Sequence, residues 1–103
     1  MNDLHTAVRL RRRVIHHLYE WFKMNPLASI ELRQLSETCD ADAELLNWNL
    51  AYLEKKGWIE LDLSIDCPPF ISCSAQISAD GIDLIEDATA FEAQFALASG
   101  EGS

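Results

Sequence analysis

Residues 30–59 read IELRQLSETCDADAELLNWNLAYLEKKGWI, and the architecture of the whole chain turns on them. Leu32 and Leu35 set the apolar face of a short helix. Asp42 suits the cap of a second helix, because its carboxylate can accept from the unpaired N–H groups of the first turn, where Glu44 also lies. Leu46, Leu50 and Leu53 recur at helical spacing. Lys55 and Lys56 complement the carboxyl end of the dipole, and Gly57 supplies a left-handed stop before Trp58-Ile59 enters a strand. The stretch predicts two short helices, a tight turn between them and a strand beyond.

Upstream, residues 3–24 form the strongest helical pattern. Leu4, Ala7, Val8, Leu10, Val14, Ile15, Leu18, Tyr19, Trp21 and Phe22 fall on one half of the helical wheel. Arg9, Arg12, Arg13, His16, His17, Glu20 and Lys23 fill the other. So wide an apolar arc predicts packing against two neighbours, the following helical pair and either the last helix or a second subunit. Arg11 stands inside that arc. Either its stem packs while its head reaches water or an acid, or it forms an ion pair between subunits. Asn25-Pro26 ends the helix, since a residue before proline avoids helical geometry.

Downstream, Trp58 to Ile65 alternates as a half-buried strand with Ile59, Leu61, Leu63 and Ile65 inward. Asp66-Cys67-Pro68-Pro69 is a turn, and Phe70 to Ile77 reads as the return strand with Ile71, Cys73, Ala75 and Ile77 on one face. Ser78 can cap a last helix beginning near Ala79, whose acids Asp80, Asp83, Glu86 and Asp87 suit its amino end. Leu84, Ala88, Phe91 and Phe95 make a coiled-coil-like seam along it. The domain is expected to span residues 1–98, with 99–103 a frayed tail.

With 103 residues, about half of them apolar, the chain is long enough for one domain with a modest core. No run approaches a membrane span, and Met1-Asn2-Asp3 lacks the basic flank of a secretory signal. Three cysteines at irregular spacing suit a reducing compartment better than a disulfide framework, so a cytoplasmic setting is expected. Cys67 and Cys73 could approach across the hairpin, but six residues' separation without nearby histidines is no zinc signature. His16 and His17 are adjacent and cannot face one ligand from a helix. Neither a nucleophile-base arrangement nor a phosphate loop is present, so no enzyme, no cofactor and no metal are expected.

The net charge of −9 is unevenly spread. Residues 1–24 carry five basic side chains against two acids, whereas Gly57 to Ser103 carries nine acids and no Lys or Arg. A polyanion would be attracted by the first part and repelled by the second.

Ile30, Leu35, Cys39, Ala41, Asp42, Leu46, Leu50, Leu53, Gly57 and Ile59 stand in register with the winged helix-turn-helix family of bacterial, archaeal or phage regulators, which the chain resembles. Ile77-Ser78-Ala79-Asp80-Gly81-Ile82-Asp83-Leu84-Ile85 is similar to the segment joining the last wing strand to the final helix in that family. The resemblance implies an α+β, mainly α fold: a helix-turn-helix, a two-stranded wing and a C-terminal helix. It implies a regulatory protein of the transcription-regulator type, expected to be a homodimer through the first and last helices. Asp40 takes the turn position commonly held by glycine, and Cys39 the place of a core leucine, so a buried structural thiol is expected.

The presumed recognition helix departs from a DNA-reading pattern. Its exposed face would carry Ala43, Glu44, Asn47, Trp48, Ala51, Tyr52 and Lys55, and the wing carries Glu60, Asp62 and Asp66 without a basic residue. Candidate nucleic-acid contacts are therefore Arg9, Arg12, Arg13, Asn47 and Lys55. Candidate protein contacts are Trp48, Tyr52, Phe91, Phe95 and Arg11, with the two rings on the recognition helix either presented to a partner or folded back over the wing or first helix. Two functions follow: a DNA-contacting regulator, or an adaptor or antagonist that binds protein on the same face.

Overall fold

The backbone turns at Asp40 in the left-handed region, φ 53° and ψ 50°, in a computed structural model that describes residues 3–95, with side chains from Thr6 onward. The turn separates α2 (Leu32–Cys39) from α3 (Ala43–Lys55). A short polar side chain tolerates this geometry where a branched one would clash with the following carbonyl. Asp42 caps α3 by accepting from the Leu45 N–H at 2.9 Å. At the other end Gly57, φ 82°, carries the chain out of the helix.

The order of elements is α1 (Asp3–Met24), β1 (Ile30–Glu31), α2, α3, β2 (Ile59–Leu61), β3 (Ser74–Ile77), α4 (Ala79–Glu86) and α5 (Ala88–Phe95). The fold is α+β and mainly helical. The three strands form an antiparallel sheet in the order β1-β3-β2, with Ile30 opposite Ala75 and Ile59 opposite Ile77. Ala7, Leu10, Val14, Ile15 and Leu18 of α1 are buried. They pack against α2, α3, β3, α4 and α5, while Val8, Tyr19, Trp21 and Phe22 of the same arc stay partly buried. Leu32, Leu35, Cys39, Leu46, Leu50, Leu53, Ile59, Ala75 and Ile77 complete that core.

Three sequence expectations change. The hairpin strands are shorter than expected, because Leu63 and Ile65, each 62 % exposed, point outward beyond the end of β2. Asp62 accepts from the N–H and hydroxyl of Ser64, a local turn that competes with the ladder and ends the strand. Ile71 is also exposed, and Cys73 leaves the proposed strand face to bond with Cys67. That disulfide departs from the expectation that the cysteines suit a reducing compartment better than a disulfide framework; only Cys39 is free among the described residues.

The last helix is broken as well. Asp87 takes extended geometry, φ −98° and ψ 94°, between α4 and α5, and its carboxylate accepts from the Ala90 N–H. The seam therefore does not run straight: Ala88 is exposed, while Phe91 and Phe95 turn back into the chain's own core. Their rings lie 5.0 Å apart, and Phe95 meets Trp58 edge-on at 5.7 Å. The tail proposed for residues 99–103 lies outside the described residues.

α4 is seated by backbone contacts. Ser78 accepts from the Gly81 N–H, and its own N–H donates to the Trp58 carbonyl at 2.9 Å. Gly81 is buried against that same carbonyl. Only a residue without Cβ fits there. No described helix is long and apolar enough to cross a membrane.

Candidate functional site

α3 presents its outer face beside the segment 62–73 that joins β2 to β3. Asn47, the side chain on that face best suited to read a base edge, is already engaged. Its Nδ2 donates to the Pro69 carbonyl at 2.9 Å, and its Oδ1 accepts from the Ile71 N–H at 2.8 Å. Both polar ends of the amide hold the loop. The Cys67–Cys73 disulfide closes that loop, with Cα atoms 5.1 Å apart.

Next to Asn47 in α3, Trp48 is 49 % exposed. Tyr52 is half-buried, because Arg11 reaches across from α1 and lays its guanidinium on the ring, 3.8 Å from the centroid. The same guanidinium stands 5.5 Å from the Trp48 centroid. Its Nε donates to Asn49 Oδ1 at 2.8 Å, and Asn49 Nδ2 donates to the Leu45 carbonyl. Arg11 thus meets two aromatic faces and a fully buried amide, with no acid in contact among the described residues. Its charge is placed by cation–π attraction within the chain.

Acids are exposed elsewhere on the same elements, and Asp40 shares a recess with Arg9 and Arg13. Asp40, Asp42 and Glu44 are exposed near the amino end of α3, and Glu60, Asp62 and Asp66 are exposed on and beyond β2. Hydrogen bonds from the hydroxyl and N–H of Ser64 hold the Asp62 carboxyl below its usual range. Lys55 is exposed at the carboxyl end of α3.

On the opposite side of α1, Arg9, Arg12, Arg13, His16 and His17 line a shallow recess of about 300 Å³ without an acid in its lining. These cations are not equally available. Arg12 makes a two-pronged pair with Glu92 of α5, one arm at 2.9 Å, and lies over Phe91. The Glu92 hydrogen bond raises the Arg12 pKa, and the reciprocal bond lowers that of Glu92. Arg13 donates to the Cys39 carbonyl at 2.7 Å, closing an otherwise open helix end. Arg9 is exposed. Burial pushes the His17 imidazole below its ordinary value, helped by repulsion from His16 and Arg13.

Of the ten side chains singled out from sequence, the structure gathers Arg11, Trp48 and Tyr52 into one cluster. Arg9, Arg12 and Arg13 form another. Phe91 and Phe95 lie inside the core, and Lys55 stands apart from both groups. Sequence reasoning missed Asn49 and Glu92. A signal for Asn49 existed: it sits on the buried side of α3 beside Leu46, Leu50 and Leu53, just as Arg11 sits in the apolar arc of α1. Two misplaced polar residues on facing helices are candidates to satisfy one another.

No group of three or more His, Cys, Asp or Glu side chains among the described residues could hold a metal ion. The Cys39 thiol is buried and pushed up to about 11 by desolvation, with Arg13 pulling the other way. That environment makes a packing residue, since the reactive form is the thiolate. Comparison with protein families, curated proteins and solved structures finds no match to this chain.

Proposed function

We propose that this chain is a non-enzymatic regulatory protein of winged helix-turn-helix type, a transcription-regulator architecture whose α3 face binds a protein partner. The observation that carries the reading is the double engagement of Asn47 by Pro69 and Ile71. It occupies the α3 side chain best matched to adenine, and what the face still offers is a half-exposed Trp48 on a helix whose first turn carries Glu44. A large aromatic ring held by a neighbouring cation has the character of a protein-contact anchor. The helix-turn-helix order, the capped left-handed turn and the sheet order β1-β3-β2 support the fold assignment.

A second reading rests on a different observation. The recess of Arg9, Arg12, Arg13, His16 and His17 lacks an acidic wall, and phosphate oxygens could dock on Arg9 and Arg13. In that reading DNA lies along α1. The homodimer belongs to either reading as a proposal. With Phe91 and Phe95 inside the chain, its contact would use the exposed residues of α1 and α5. Sedimentation as a monomer at high micromolar concentration would remove it.

Retention on mixed genomic DNA fragments at low and moderate salt separates the two readings. The protein-binding reading predicts no retention at either salt, together with a copurifying protein that Trp48→Ala loses. Retention that collapses as salt rises, and that Arg9→Ala with Arg13→Ala abolishes, would favour DNA instead.

A further inference from the structure

Segment 67–73 is held to α3 at two backbone groups lying between the half-cystines. The Pro69 carbonyl and the Ile71 N–H, two residues apart, meet the amide of one side chain, Asn47, at 2.9 Å and 2.8 Å. Such bidentate docking requires the loop to keep its curvature. Within the ring the Phe70 N–H donates to the Cys67 carbonyl at 2.9 Å, and the disulfide closes the ring from Cys67 to Cys73. Cross-linking the two ends removes most of the open conformations the segment could otherwise adopt. Both half-cystine residues are half-exposed, so an incoming thiolate can approach. The third cysteine, Cys39, is buried with a raised pKa and does not compete.

We propose that the Cys67–Cys73 bond is a thiol–disulfide exchange site for a dithiol reductant, and that its redox state decides whether loop 67–73 stays docked on Asn47. The proposal rests on the reading of the α3 face as the binding surface, whose shape it would control. In the exchange, one thiolate of the dithiol attacks a sulfur of the bond and forms a mixed disulfide. The other protein sulfur leaves as a thiolate and takes a proton. The second thiol of the reductant then resolves the mixed disulfide and becomes the partner sulfur of an oxidised reductant. Two electrons pass to the protein, which ends with two thiols. Without the ring the loop loses its set curvature, and Asn47 is uncovered next to Trp48.

Amide hydrogen exchange with and without dithiothreitol tests this without any partner. Reduction should speed exchange at Ile71 at least about ten-fold while Ile15 in α1 keeps its protection. A Cys67→Ser, Cys73→Ser double variant should match the reduced protein in the absence of reductant. Asn47→Ala should release Ile71 in the oxidised protein. Equal Ile71 protection in the two redox states would overturn the proposal. So would two titratable thiols at these positions in air-oxidised protein, or loss of protection spreading to Ile15. A redox-dependent Ile71 with no Trp48-dependent binding would sink the functional reading and leave the exchange site. Trp48-dependent binding with a redox-insensitive Ile71 would do the reverse.

Discussion

The guanidinium carbon of Arg11 lies 3.8 Å from the centre of the Tyr52 ring, joining the first helix to the third through a cation on an aromatic face. The contact explains a charge inside an apolar arc. It also gives Asn49, which is fully buried, a donor for its oxygen.

Arg11→Met should therefore destabilise the domain by about 1–3 kcal/mol, mainly by leaving the Asn49 oxygen buried without a partner. Arg11→Lys should recover the charge near Tyr52 but not the Nε hydrogen bond, and so only part of the loss. Urea unfolding midpoints of the three proteins measure both steps. Equal stability of wild type and Arg11→Met would show that the cluster contributes nothing.

Gly81 tests how closely α4 is seated on the end of β2. A Cβ at this position would overlap the Trp58 carbonyl and press on Ile77. Neither is a flexible side-chain end on an open surface, so Gly81→Ala should lose about 3 kcal/mol or more, above the usual range for overpacking. Thermal unfolding reads the change, and Ala79→Ser at the exposed start of the same helix should leave it nearly unaltered.

Stability should fall in two stages as pH drops. His17 has a folded pKa below its ordinary value of 6.5, chiefly through burial and then through His16 and Arg13. The unfolded chain binds that proton more readily. The contribution is thus fully present above 6.5 and is lost as pH falls through the folded value. Glu92, held below its ordinary value of 4.5 by its bond to Arg12, acts in a lower window, and its contribution is lost as pH falls from 4.5 through its folded value. Denaturant midpoints followed from about pH 8 to about pH 3 should show both stages. His17→Gln should flatten the first and Glu92→Gln should weaken the second.

Cys39 should resist alkylation in the folded protein. With its thiol pushed up to about 11 and its side chain buried, little thiolate forms at mildly alkaline pH. Mass spectrometry after iodoacetamide treatment should find Cys39 unmodified until denaturant is added. Rapid labelling of the native protein would contradict its packing role.

Much of the local structure was legible because it depends on residues close together in the chain. Asp40 adopts the left-handed turn, Asp42 and Ser78 cap their helices, and Gly57 stops α3, each for a reason contained within four or five residues. The alternation through Leu63 and Ile65 misled for the opposite reason. Periodicity marks which residues could share a face, not whether a neighbouring strand is there to cover it. With β3 beginning only at Ser74, they lie beyond the paired strands and stay exposed.

The amino-acid sequence by itself determined the helical periodicities, the turn at Asp40, the two helix caps and the segregation of basic from acidic residues. Short-range sterics and capping are enough to specify these. Only the tertiary structure decided what the stretch from Ile30 to Ile59 offers to a partner. It brought Arg11 from 38 residues upstream to Asn49, and Glu92 from 80 residues downstream to Arg12. It also folded Pro69 and Ile71 over Asn47. Availability of a polar side chain depends on which distant groups reach it first, and that is settled by packing.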